Sequence, residues 1–248
     1  ATLKTLIIWN CSNLESLADV MMQTISLETL RIGECTNLKS LPRNLHRLAY
    51  LDYLEIDGCP GLVSFPEGGL PTSSLKKVRI VNCENLKSLP ERMQNLTSLQ
   101  ELHLSDCQSI MSFPEGGLPI NLISLEIEDC KNINALCEWG LHRLTSLRKF
   151  SIYGGNSNLA SFPEWLLPTT MTSLHIGRLP NLESLSNWLC NLSSLEELKI
   201  KECHKLLSLP KEGFPATLSF LEISGCPLLE QHCEKNWPEI DHIPCILM

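Results

Sequence analysis

Residues Leu27–Leu41 read LETLRIGECTNLKSL. At the centre, Leu30-Arg31-Ile32 alternates apolar, polar, apolar, the period of a strand with one face buried. Written as LxxLxIxxCxxLxxL, the same frame starts again at Leu3, Leu51, Leu75, Leu99, Leu122, Leu147, Met171, Leu195 and Leu218. The steps are 23 to 25 residues, so ten units account for essentially the whole 248-residue chain. A period of that length means stacked turns, each unable to bury its apolar face alone.

The frame is that of a leucine-rich repeat. It predicts an α/β repeat solenoid, a horseshoe of ten repeats of about 24 residues. A parallel sheet lines its concave face, and the convex segments are irregular, 3₁₀ or short helical. The repeat array covers 1–226, and 227–248 read as a C-terminal cap. Eight of the twelve cysteines share one frame position: Cys11, Cys35, Cys59, Cys83, Cys107, Cys130, Cys203 and Cys226. Gly155 and Leu179 replace them in the seventh and eighth units. A small buried side chain with a weak donor suits the strand's end. Side chains stacked in one ladder suit S–S geometry poorly, so a structural ladder of free thiols in a reducing compartment is expected.

Two kinds of segment join the strands. FPEGGLP occurs at Phe65–Pro71 and again at Phe113–Pro119, with the related FPEWLLP at 162–168 and LPKEGFP at 209–215. Their prolines and glycines exclude helix and impose turns. A phosphate cradle is excluded because no Lys-Ser or Lys-Thr follows the paired glycines and Pro71 lacks an N–H. The alternate segments, PRNLHRLAYL, PERMQNLTSL and NWLCNLSSL, carry apolar residues every third position, which predicts 3₁₀ or short helix. The true period from the third unit onward is therefore 48.

Net charge is −8 with pI near 5.4, which disfavours a phosphate-neutralising nucleic-acid surface. No apolar run is long enough to span a bilayer. The N-terminus lacks both a signal-peptide pattern and an initiator Met, and reads as a piece cut from a longer chain. HExxH, GxSxG and CxxC are absent, and SxxK at Ser146 and Ser208 stands without a companion motif. His232, Cys233, His242 and Cys245 match no common zinc spacing. The Asn10, Asn95 and Asn191 glycosylation triplets occur at chance frequency. No catalytic, metal or cofactor site is expected.

CxNLxSLP, at Cys35–Pro42 and Cys83–Pro90, resembles the repeat of plant intracellular nucleotide-binding leucine-rich-repeat disease-resistance proteins of the coiled-coil class. The stretch from Cys226-Pro227-Leu228-Leu229-Glu230 through Cys233-Glu234-Lys235, Trp237-Pro238 and His242-Ile243-Pro244 is similar to that class's C-terminus. The resemblance implies a cytoplasmic or nuclear innate immune receptor. Its repeat domain senses a pathogen effector or a guarded host protein, and restrains an upstream nucleotide-binding domain by intramolecular contact. ATP or ADP would belong only to that switch, which is absent from this sequence. The alternative is the substrate-recognition repeat domain of an F-box ubiquitin-ligase subunit, whose outer segments are usually longer and helical.

In every unit the third, fifth and seventh frame residues point off the core and form lanes on the concave sheet. The expected partner-binding residues are Trp9, Arg31, Tyr53, Glu55, Lys77, Arg79, His103, Glu126, Lys149, Tyr153, His175, Lys199 and Lys201. Aromatic and arginine side chains are the types that anchor interfaces. The alternating charges, such as Arg31, Glu55 and Arg79, are expected to be solvated and to pair weakly.

Overall fold

A computed structural model of the protein describes residues 3–17, 26–110, 116–131, 140–155, 158–162, 167–185 and 187–248. The chain forms two compact units, 1–132 and 133–248. In the first, strands β1 (Thr5–Trp9), β2 (Thr29–Gly33), β3 (Tyr53–Asp57), β4 (Lys77–Val81), β5 (Glu101–Ser105) and β6 (Ser124–Glu128) lie parallel in chain order. In the second, β7 (Lys149–Tyr153), β8 (Ser173–Gly177), β9 (Glu197–Lys201) and β10 (Phe220–Ser224) repeat the arrangement. Equivalent frame residues pair in register, so Thr29 faces Tyr53 and Tyr53 faces Lys77. The second and fourth residues of each strand from β2 to β10 are buried, Leu30 and Ile32 completely. In β1 they are only half-buried, and Leu3, Ile7 and Trp9 are exposed.

After each of these ten strands the backbone makes one left-handed residue. Asn10, Glu34, Gly58, Asn82, Asp106, Asp129, Gly154, Arg178, Glu202 and Gly225 all have φ between 47° and 68°. Where another of these strands follows in the same unit, its N–H points across to the next turn: Asn10 donates to the Gly33 carbonyl at 2.9 Å, Glu34 to Asp57 at 2.9 Å and Gly58 to Val81 at 3.0 Å. The frame cysteine comes next. Its thiol donates to the carbonyl two residues back, as Cys35 to Gly33 at 3.2 Å, Cys83 to Val81 at 3.3 Å and Cys107 to Ser105 at 3.3 Å. In β2–β6, β9 and β10 the strand's last carbonyl is thus held by a neighbouring amide and by its own turn's thiol. None of the described cysteines is in a disulfide. Burial pushes the thiols of Cys59 and Cys130 up to about 11 and of Cys83 up to about 12. Cys11 departs from the expected buried ladder. It keeps the bond to the Trp9 carbonyl, at 3.5 Å, but is exposed, because β1 and its corner are packed on one side only.

The outer segments alternate as the spacing requires. Leu45–Arg47, Met93–Asn95 and Asn187–Asn191 are 3₁₀ turns, and Leu141–Arg143 is a fourth. Between them, the Gly69 N–H closes a turn on the Pro66 carbonyl at 2.8 Å, and Gly213 on Pro210 at 2.9 Å. Both glycines have positive φ, +69° and +75°. The glycine before Gly69 has another reason. A Cβ on Gly68 would lie 2.3 Å from the His46 ring, and one on Gly116 would lie 2.6 Å from the Gln94 amide. Each is the 3₁₀ side chain 22 residues earlier, leaning on the next turn. In LPKEGFP the equivalent residue is Glu212, and 22 residues earlier stands the smaller Cys190, whose thiol donates to the Glu212 carboxylate at 3.2 Å. At both copies of FPEGG the first glycine leaves room for a bulky 3₁₀ side chain, and at Gly116 a φ of +92° favours glycine as well. Residues 113–115 and 163–166 of the related segments lie outside the described residues, as does Cys137.

Beyond Cys226 the chain forms helix α1 (Pro227–Lys235), begun by proline at its first position and anchored by buried Leu229 and Cys233. The Glu230 carboxylate accepts from the Cys226 N–H at 3.0 Å. A 3₁₀ turn, Trp237–Glu239, leads to β11 (Cys245–Leu247), which pairs in parallel with β10 from Phe220 to Glu222.

Gly68→Ala is expected to lower stability by about 1 kcal/mol in urea melts. Most of the loss should return in the His46→Ala/Gly68→Ala double variant. Equal losses in both backgrounds would show that His46 is not the obstacle. Alkylation at neutral pH should modify exposed Cys11 and Cys245 promptly. The ladder thiols from Cys35 to Cys130 are buried and should react only on unfolding; for Cys59 and Cys130 a pKa near 11 alone lowers the thiolate fraction roughly a hundredfold. Peptide mass spectrometry reads both.

Candidate interaction surface

The third, fifth and seventh frame residues do stand on the open face of the sheet, but few stand alone. Of the thirteen expected contact residues, Trp9, Lys77 and Lys149 are exposed, Glu55 is buried and the others are half-buried. Parallel register puts equivalent side chains side by side, and opposite charges on neighbouring turns close on one another.

Glu55 is the clearest departure from the solvated, weakly paired lane that alternation suggests. It is 5% exposed, because Arg31 and Arg79 flank it on adjacent strands and cover it. Its Oε2 accepts from Arg31 Nε at 2.5 Å and from the Tyr53 hydroxyl at 3.1 Å, while Oε1 pairs with Arg79 Nε at 3.3 Å. Glu55 is therefore held between the two arginines and covered by them. Lys77 pairs with Glu101 at 2.6 Å, and His103 Nδ1 lies 2.6 Å from Glu126. Tyr53, Lys77, Arg79, Glu101, His103, Ser124 and Glu126 line a depression of about 420 Å³ over β3–β6.

Two of the face's aromatic residues are seated on glycines. The Trp9 ring lies across Gly33 and the Tyr153 ring across Gly177, where a Cβ would come within 2.2 and 2.4 Å of the rings. Arg31 stands 5.9 Å from the Trp9 centroid, Arg178 5.9 Å from Tyr153, and Lys199 5.4 Å from Phe220. Arg178 was not among the expected residues. It occupies the left-handed corner after β8, a position the strand pattern assigns to the loop, yet its side chain returns to the face.

In the second unit His175 sits between Ser151 on β7 and Glu197 on β9. Ser151 Oγ is 3.3 Å from His175 Nδ1, and His175 Nε2 is 3.3 Å from Glu197. Ser173, 5% exposed, lies 3.1 Å from Nε2 and donates to Glu197 at 2.7 Å, and Lys199 pairs with Glu197 at 2.7 Å. Burial alone would raise the Glu197 carboxyl, but hydrogen bonds from Lys199, Ser173 and His175 bring it down to about 2. Burial holds His175 below the ordinary imidazole range, against the pull of Glu197. In the tautomer with the proton on Nε2, His175 faces ionised Glu197 with an N–H and leaves Nδ1 to accept from Ser151. The order serine, imidazole, carboxylate is that of an acyl-transfer relay. The strands that carry it are paired in register on both sides of β8. Lys201 pairs with Glu222 at 2.6 Å. Among the described residues, no group of His, Cys, Asp or Glu could hold a metal ion, and no helix is long and apolar enough to cross a membrane.

The unfolded imidazole takes its proton near pH 6.5 while folded His175 resists it, so stability is expected to fall as pH drops below about 6.5. Glu197's contribution is whole above about pH 4.5 and is lost progressively as the pH falls from there to about 2. Urea melts above and below pH 6.5 should show that loss diminished in His175→Gln. An unchanged pH dependence would exonerate the imidazole.

No family model matches the chain, and no curated protein does. Among solved structures it is similar to the leucine-rich-repeat domain of the type III effector XopL, at 23% identity over 92% of this chain and 77% of that one, with a TM-score of 0.71. A Leptospira interrogans leucine-rich-repeat protein matches over 95% of this chain and 93% of that one, at 16% identity and a TM-score of 0.36. The internalin InlF of Listeria monocytogenes matches over 98% and 86%, at 16% identity and a TM-score of 0.34. The XopL likeness establishes the leucine-rich-repeat fold, and at this identity it establishes the fold alone.

Proposed function

We propose that this chain is the protein-interaction repeat domain of a plant intracellular nucleotide-binding leucine-rich-repeat immune receptor. In this reading it senses a pathogen effector or a guarded host protein and restrains the receptor's nucleotide switch. ATP or ADP belongs to that switch, and the receptor works in the cytoplasm or nucleus. The observation that carries an interaction role is the open sheet face. Its aromatic and charged side chains do no work in the core, yet glycine seats and ion pairs hold them in place, which lowers the entropy lost on binding. The plant receptor assignment rests on the CxNLxSLP repeats and on the tail from Cys226 to Pro244. The short 3₁₀ outer segments disfavour the F-box alternative.

Arg79→Glu and Tyr153→Ala, placed in the full-length receptor, are expected to alter recognition or restraint in a cell-death assay. Both side chains are half-buried, so each variant should stay folded but lose about 1–3 kcal/mol, Arg79→Glu the more because it sets a second carboxylate beside buried Glu55. Leu102→Ala, which empties a buried site, should cost about 2–5 kcal/mol and lose fold and signalling together. Face variants that stay folded and signal like wild type would refute the reading and redirect the search to the loops at Asn13, Asn37 and Asn85.

A further inference from the structure

The Arg31–Glu55–Arg79 cluster does not balance. One carboxylate faces two guanidinium groups, so the cluster keeps a unit positive charge. Both Glu55 oxygens are occupied, and no other carboxylate pairs with either arginine among the described residues. Asp57, two residues along β3, instead accepts the Asn82 side-chain amide at 3.0 Å. Each arginine meets Glu55 through Nε, the inner edge of its fork, and the side chains are 41% and 34% exposed. Held at Nε and fixed by a buried anion, a guanidinium retains its terminal nitrogens for a second carboxylate, with its orientation already set. Apolar surface adjoins the charge: exposed Ile7 and Trp9 on the β1 side, with Trp9 against Arg31. Tyr53 and Arg79 form part of the depression on the other side.

We propose that this cluster is the subsite for an acidic side chain of the partner protein, an Asp or Glu beside an aromatic or aliphatic residue. The inference rests on the open-face reading above and narrows it. The partner's carboxylate completes a two-by-two array of arginines and carboxylates, and its apolar neighbour covers the Trp9 ring. Glu55 is a positioning residue: it holds the arginines in place and does not touch the partner.

The test is an NMR titration of the isotope-labelled 248-residue chain, observing the arginine Nε–Hε resonances and the backbone amides. The probes are N-acetyl-aspartyl-tryptophan amide, its asparaginyl counterpart and a phosphoseryl counterpart. The aspartyl probe should shift the Arg31 and Arg79 resonances saturably and bind roughly three- to fivefold more tightly than the asparaginyl one. Arg79→Gln should erase that preference. Equal binding of the two probes, or no arginine shift, overturns the proposal. Binding by the phosphoseryl probe alone overturns the carboxylate assignment. If amides on β7–β9 respond while the arginines do not, the open-face reading stands and this subsite falls. No response anywhere on the face counts against both.

Discussion

The last carbonyl of each strand is the point on which the turns depend. A parallel strand ends with a carbonyl that must be satisfied, and in β2–β6, β9 and β10 the left-handed amide of the preceding turn and the thiol of its own turn both reach it, while at β8 the amide alone does. The amide fixes the spacing between turns, and the thiol fixes the bend within one. Glycine, asparagine and aspartate adopt such a corner easily, but Glu34, Arg178 and Glu202 hold it at a cost of about 1–3 kcal/mol each. The fold tolerates that strain because the corner's bonds and the buried leucines beneath it leave the backbone no alternative. In-register side chains follow directly, since turns locked carbonyl to amide cannot slip by a residue.

That registration governs the chemistry of the open face. Side chains at one frame position meet their equivalents one turn away, so whatever alternates in the sequence becomes paired in space. Glu55 is drawn out of water by two arginines, and Glu197 gathers a lysine, a serine and a histidine. The same spacing seats Trp9 and Tyr153 on glycines of the following turn. The face is consequently a rigid mosaic of ion pairs and aromatic plates, and its free valence lies where the pairing is incomplete.

The strands, their register, the thiol position and the alternation of outer segments were all legible in the sequence, because each repeats and repetition exposes the frame. The lanes were legible for the same reason. Their contents were less so. That Glu55 is buried depends on arginine side chains folding across it from both sides, which no single unit's pattern encodes. Cys11 carries the same letter as its seven equivalents, yet β1 is packed on one side only and its corner lies open. Arg178 was invisible because a corner residue carries no periodic signal, and a returning side chain shows itself only in three dimensions.

The contact between His46 and Gly68, copied at Gln94 and Gly116, makes the pair of turns and not the single turn the unit that can be exchanged. Excising residues 65–112 would bring His46 against Gly116 and restore the original seam. Excising a single turn would set one bulky 3₁₀ residue against another, or leave a glycine with nothing to receive. Gene duplication and unequal crossing-over in such an array therefore meet least resistance in steps of 48 residues.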